Sequence, residues 1–177
     1  MSDHAERFDH WVRGRFADLN SELEALYFAG ADRSAVEDVG GELKAALLTE
    51  GQQHVHALRI EGNTDEGFDH AFDVLGNLGM WFAAMRRHEL TNPAREAKSP
   101  FEEASALGMH VGASTGMAPR FSTSHLSTHN RAIDGRPKTF TRLADEQLFL
   151  DCNTRAIFAY QRTADALTRI AGLDISH

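Results

Sequence analysis

The sequence predicts an all-α fold, a bundle of five or six helices in one domain over residues 1–177. Three observations carry this reading. Apolar residues recur three and four positions apart through most of the chain, the period of one helix face. No stretch alternates polar and apolar as a strand would, and no convincing hairpin turn stands out. Capping residues and glycines punctuate the helical stretches at their expected ends.

The elements follow in order. Phe8, Trp11, Val12, Phe16, Leu19, Leu23, Leu26 and Tyr27 share one face of a first helix, with Gly30 as its stop. Ser34 followed by Glu37 reads as a capping box for a second helix carrying Val36, Val39, Leu43, Ala46 and Leu47. Gly40 and Gly41 weaken that helix by about 1 kcal/mol each relative to alanine. A short third segment holds Val55, Leu58 and Ile60 before the turn at Glu61, Gly62 and Asn63.

Thr64 then reads as the N-cap of a long helix over residues 65–89. Asp65 and Glu66 lie in its first turn, and Arg86, Arg87 and His88 at its end, both matching the helix dipole. Its stripe runs through Phe68, Phe72, Leu75, Leu78, Phe82 and Met85. Gly76 and Gly79 on that stripe admit either close helix packing or a flat ligand. After a polar connection, Ser99 and Pro100 start a helix with Phe101, Ala104, Leu107 and Val111, ending near Gly112. The period fails from Gly116 to Thr141. A stretch this long without helix inside a compact domain is usually functional, so an ordered, partly buried loop is expected. The last helix spans residues 142–171. Leu148, Phe149, Leu150, Ile157, Phe158 and Tyr160 make it apolar over so wide an arc that it needs cover on several sides.

Composition narrows the function. The chain has 177 residues, enough to bury about 70% of its unfolded surface. Lys and Arg number 18 against 26 Asp and Glu, for a net charge of −8. An acidic chain without a basic stripe is a poor match for nucleic acid or an anionic membrane. The longest apolar run, Leu78 to Met85, is far short of the ~20 residues of a membrane span. The polar N-terminus does not read as a signal peptide, so the cytoplasm is the expected location. Cys152 is the single cysteine, which excludes an intrachain disulfide and a Cys-rich zinc site.

Ten histidines are many for this length. His125 and His129 stand four apart, the spacing of a metal clamp on a helix, but no carboxylate accompanies them in the same stretch. Hydrogen-bonded scaffold is the competing reading, and no metal ligand is assigned. His54 and His56 read as solvated. Arg120, Arg131, Arg136, Lys138 and Arg142 gather around the long loop, where arginine forks suit a carboxylate and solvated loop charge is the alternative. Asp145 and Glu146 head the last helix in a capping position.

Three segments together resemble a known family. They are GNLGMWFAAMRRH (Gly79, Arg87, His88), PRFSTSHLSTHN (Pro119, Arg120, His125, Asn130) and KTFTRLADEQLF (Lys138, Phe140, Thr141, Leu143, Asp145, Glu146). Their order and spacing resemble the monodechloroaminopyrrolnitrin synthase family from about residue 76 onward; the first ~70 residues show no such likeness. That family is similar to the tryptophan 2,3-dioxygenases and indoleamine 2,3-dioxygenases, all-α haem proteins. The resemblance implies a haem-dependent oxygenase acting with O2 on an aromatic amino acid, tryptophan-like or tyrosine-like, or a derivative. The segment DEQLFLDCNTRAIFAY looks like the helix covering the distal haem face in those enzymes.

By position, Phe149 falls on the aromatic that contacts substrate and cofactor. Asn153 falls where the tryptophan dioxygenases carry a distal histidine, a departure that removes a proton shuttle. The resemblance further implies that Asn153 or His125 hydrogen-bonds oxygen or substrate, that Arg120 or Arg142 holds a carboxylate, and that His129 lies toward the cofactor. The haem b ligand is expected from elsewhere, since the family's C-terminal half lies beyond this sequence. A C-terminal partner chain or a second copy would then cover the last helix near Leu150, Ile157 and Phe158. The alternative is a haem-free helical binding module or subunit. A weaker one is a small metal-binding protein using His125 and His129.

Overall fold

The structure is a computed structural model that describes residues 2–62, 67–91 and 99–173. Among these residues are six α-helices: α1 (Asp3–Trp11), α2 (Ala17–Ala29), α3 (Gly41–Glu61), α4 (Phe68–Arg87), α5 (Glu102–Thr115) and α6 (Ala144–Ala171). Among the described residues there is no strand, only one isolated antiparallel bridge between Ile133 and Arg136. The fold is all-α, as the period of the sequence requires.

The first helix is a single rod with a defect. Val12–Phe16 winds as a π turn between α1 and α2. The apolar residues still share one face: Phe8, Val12, Phe16, Leu19 and Leu23 are all fully buried. Gly30 caps the rod as expected.

The expected start at Ser34 is a turn instead. The Asp32 carboxylate accepts from both the backbone N–H and the hydroxyl of Ser34, at 2.9 and 2.6 Å. This local bonding competes with helix formation. The helix starts at Gly41, after Gly40 takes the left-handed conformation at φ 72°. A side chain at Gly40 would be strained there, so the glycine pair is the start signal rather than a weakness within the helix. From Gly41 the helix runs unbroken to Glu61, absorbing the segment of Val55, Leu58 and Ile60. Gly51 keeps it close to α4, because the Trp81 indole occupies the space a Cβ would need.

Helix α4 is the central element. Twelve of its twenty residues are buried, and it packs against α1, α3 and α5. Gly67 precedes its first residue; the expected cap at Thr64 lies outside the described residues. At α5 the Ser99 hydroxyl accepts from the Phe101 N–H at 3.2 Å, but the helix begins only at Glu102. It passes Gly112 and ends at Gly116, which takes φ 68°.

Helix α6 stands apart. None of its residues is fully buried. Leu150 alone on that helix packs, half-buried, against the core. No helix among the described residues is long and apolar enough to cross a membrane.

Candidate functional site

The long loop is built, not slack. The Asn130 amide donates to the Lys138 carbonyl at 2.8 Å and accepts from the Lys138 N–H at 2.8 Å. It also donates to the Leu126 carbonyl at 3.3 Å. One side chain therefore closes the loop on itself across eight residues and satisfies backbone that burial would otherwise orphan. Between these ends the chain reverses at Asp134 and Gly135, both with positive φ, at 50° and 73°. Asp-Gly is the sequence signal for a tight reversal of this hand, so a hairpin turn was legible there and was missed. The loop then enters α6 through Glu146. Its carboxylate accepts from the N–H groups of Phe140 and Thr141, each at 2.7 Å, and from the Thr141 hydroxyl at 2.6 Å. Glu146 thus fastens the incoming loop rather than capping the first turn of α6, the role expected of it, and α6 has no side-chain cap at Leu143.

His125 is buried where the loop crosses α4. Its ring stacks on Phe72 at 3.9 Å between centroids and faces Phe121 at 5.5 Å. Gly76 makes room for it; a Cβ there would meet the His125 Cδ2 at 2.6 Å. Gly79 does the same for Phe121. The glycine pair thus admits this chain's own loop. His125 Nδ1 lies 3.0 Å from the Ser122 N–H and 3.1 Å from the Ser122 carbonyl, and Nε2 is buried with no partner among the described residues. Burial outweighs the backbone groups at Ser122 and Phe72 and holds the His125 pKa below its ordinary value.

His129 is exposed, with its ring 5.1 Å from Phe72 and Nδ1 paired to the Thr128 hydroxyl at 2.9 Å. Both imidazoles therefore flank one aromatic ring. Among the described residues no group of three or more His, Cys, Asp or Glu is placed to hold a metal ion.

The other predicted residues divide in two. Phe149 is 63% exposed on α6. Asn153 lies one turn on, its amide N–H donating to the Phe149 carbonyl at 2.8 Å and its Oδ1 left as an acceptor. Arg120 is exposed at the edge of a small groove lined also by Gly79, Phe82, Gly108 and Phe121, and no ion pair engages it among the described residues. Arg142 is engaged through Nε and Nη2. Its guanidinium donates to Asp18 at 2.9 Å and to the carbonyls of Arg13 and Gly14 at 2.7 and 3.0 Å. Those carbonyls belong to the π turn, where the normal helical partners are displaced. The geometry gathers His125, His129 and Phe72 under the loop, and sets Phe149 and Asn153 on an outer face.

Two buried polar clusters lay beyond sequence reasoning. Lys138, 3% exposed, bridges Asp9 at 2.8 Å and Asp73 at 3.0 Å. Arg13 pairs with the same Asp9 at 2.6 Å and Arg131 with the same Asp73 at 2.7 Å. Burial raises the Asp9 pKa, but Lys138 and Arg13 outweigh it and hold the carboxyl below its usual range. In the second cluster, His88 is paired on both nitrogens, to the Tyr27 hydroxyl at 2.9 Å and the Asn20 side-chain Oδ1 at 2.7 Å. Burial, helped by the Arg87 and Lys44 charges, pushes its pKa down to about 4. His54 also departs from expectation: it is half-buried beside Phe8 and Trp11, at 5.4 and 5.2 Å, and burial lowers its pKa. His56 alone of that pair is exposed, in contact with Glu103 at 3.1 Å.

No curated protein matches the chain. A family model described as monodechloroaminopyrrolnitrin synthase PrnB matches residues 2–177. The match reaches through the first seventy residues, where the sequence shows no visible likeness, and so includes α1, the π turn, α2 and α3 with the rest. By this match the chain belongs to the monodechloroaminopyrrolnitrin synthase PrnB family.

Proposed function

We propose that this chain forms the distal side of a haem-dependent oxygenase acting on an aromatic amino acid, tryptophan-like or tyrosine-like, or a derivative of one. The family is one of oxidative enzymes of secondary metabolism. The observation that carries the finer reading is the outer face of α6. Phe149, Cys152, Asn153, Ala156 and Tyr160 follow one another at helical spacing, and none is buried. Small residues between two rings make a flat apolar strip that suits a porphyrin or an aromatic substrate. No histidine lies on α6, so a histidine iron ligand would come from another segment, while the strip itself fits one wall of a haem site.

Haem, when bound, supplies the iron centre that activates O2. The chain's own residues do the rest. Phe149 stacks on the substrate ring. Asn153 Oδ1 accepts from a substrate N–H and orients it, because an amide has no proton to shuttle near neutral pH. Arg120 holds the substrate carboxylate with its unpaired fork. His125, His129 and Arg142 act as positioning residues, the histidines by bracing the loop on Phe72 and Arg142 by tying the start of α6 to the π turn. A C-terminal partner chain or a second copy covers the remaining arc of α6 and excludes water.

The test is absorbance spectroscopy of the protein purified with any polypeptide that accompanies it, before and after haem is added. A Soret band that Phe149→Ala weakens supports the reading. A colourless protein that leaves added haem unbound favours a haem-free helical interaction module, which the same uncovered face would serve.

A further inference from the structure

A polar cavity of about 270 Å³ lies between the π turn and the hairpin of the long loop, remote from the outer face of α6 in sequence and lined by residues the proposed reaction does not use. It is lined by His10, Arg13, Gly14, Ile133, Asp134 and Arg136. Arg13 and Arg136 carry positive charge, and His10, which can, already faces Glu6 at 4.0 Å, in a protein whose net charge is −8.

The charges around it do not balance. Asp9 and Asp73 are shared among Arg13, Lys138 and Arg131, so two carboxylates serve three cations. Arg13 is only 5% exposed. Its Nε donates to Asp9 at 2.6 Å and its Nη1 to the Arg136 carbonyl at 2.8 Å. Its remaining N–H donors have no partner among the described residues, although it lines the cavity. These donors are open to the cavity rather than sealed away, so an anion entering it can meet them with charge-assisted bonds. The Arg136 side chain likewise makes no ion pair among the described residues. Asp134 is the single acidic group in the lining.

The backbone explains how these groups converge. The π turn displaces the helical register at Arg13 and Gly14, a defect that recurs at functional sites. Asp134 and Gly135 reverse the chain so tightly that Arg136 returns over Arg13. Ile133, 37% exposed, adds an apolar wall beside the cations.

We propose that this cavity binds a small organic anion through its carboxylate or phosphate, with Arg13 and Arg136 as its two guanidinium ligands. The volume exceeds what an inorganic ion needs, and the Ile133 wall suits a short carbon skeleton.

The test is an NMR shift titration of the full chain with succinate and, separately, with inorganic phosphate, at constant ionic strength set by chloride. Saturable shifts at Arg13, Gly14 and Arg136 are expected, and the probe that binds more tightly names the headgroup. Arg136→Gln should weaken binding about tenfold, the loss of a charge-assisted contact. Arg162→Gln, which removes an equal charge from exposed α6, should leave the affinity unchanged. Arg13 is not the variant of choice because it also anchors Asp9. The proposal is overturned if neither probe saturates, if the shifts lie elsewhere, or if both variants weaken binding equally.

Discussion

At the scale of single residues, the closest fits are made by glycines. Gly51 lies against the Trp81 indole, whose N–H donates to the Leu47 carbonyl at 3.1 Å. The ring is pinned by that bond and cannot retreat from a new methyl group. Gly51→Ala should therefore destabilise the fold by about 1–3 kcal/mol, despite the better helix propensity of alanine. Denaturant melts of the two proteins measure it, and a variant as stable as the parent would show that α3 and α4 can separate freely. Phe149 is the opposite case. It is 63% exposed, so Phe149→Ala should change stability by no more than about 0.5 kcal/mol. A ring in the core would instead cost about 3–5 kcal/mol. The same variant should lose the stabilisation that an aromatic ligand confers, which thermal melts with and without ligand detect.

At the scale of elements, the defect in the first helix and the start of α6 depend on one another. Arg142, just before α6, donates to the carbonyls of both Arg13 and Gly14 in the π turn. The Arg142 N–H completes the junction by donating to the Ser21 hydroxyl at 2.7 Å. Arg142→Ala removes three side-chain hydrogen bonds in a half-exposed position and should cost about 1–2 kcal/mol. Hydrogen exchange should then quicken first around residues 12–18 and 140–146. Uniformly faster exchange would mean that Arg142 supports the whole bundle rather than this junction. The long elements were legible in the sequence for a plain reason: α4 and α6 carry an apolar stripe over five or more turns. What escaped was decided by partners far along the chain. Gly51 gives no signal until Trp81, thirty positions on, is brought beside it. The π turn has no pattern of its own, and Lys138 is an ordinary loop lysine until the fold delivers Asp9 and Asp73. Likewise Arg142 looks free for a substrate carboxylate, yet the fold binds it to Asp18.

At the scale of the whole molecule, the buried histidines set the response to acid. His54, His88 and His125 all have pKa values lowered by burial, that of His88 to about 4. In the unfolded chain each takes up a proton near its ordinary value of about 6.5. Between that pH and the lowered folded value, the unfolded state holds more protons than the folded state. The contribution of these histidines is therefore complete above about pH 6.5 and falls as the pH drops toward 4, by as much as ~1.4 kcal/mol per pH unit for each histidine involved. Asp9 acts in a separate window. Its folded pKa lies below 3.8, so its contribution is lost only at still lower pH. His88 should dominate the first window, because both its nitrogens are already committed, Nδ1 as acceptor from Tyr27 and Nε2 as donor to Asn20. A proton on Nδ1 would place a charge in this buried site, beside the Arg87 and Lys44 charges, and force the Tyr27 hydroxyl to turn from donor to acceptor. Urea unfolding at a series of pH values should show a steady loss from pH 6.5 to 4. His88→Gln, although less stable at pH 7, should show a shallower slope over the same range. An unchanged slope in that variant would assign the acid sensitivity to the other histidines, and a flat profile in the parent would mean that His88 is not held neutral.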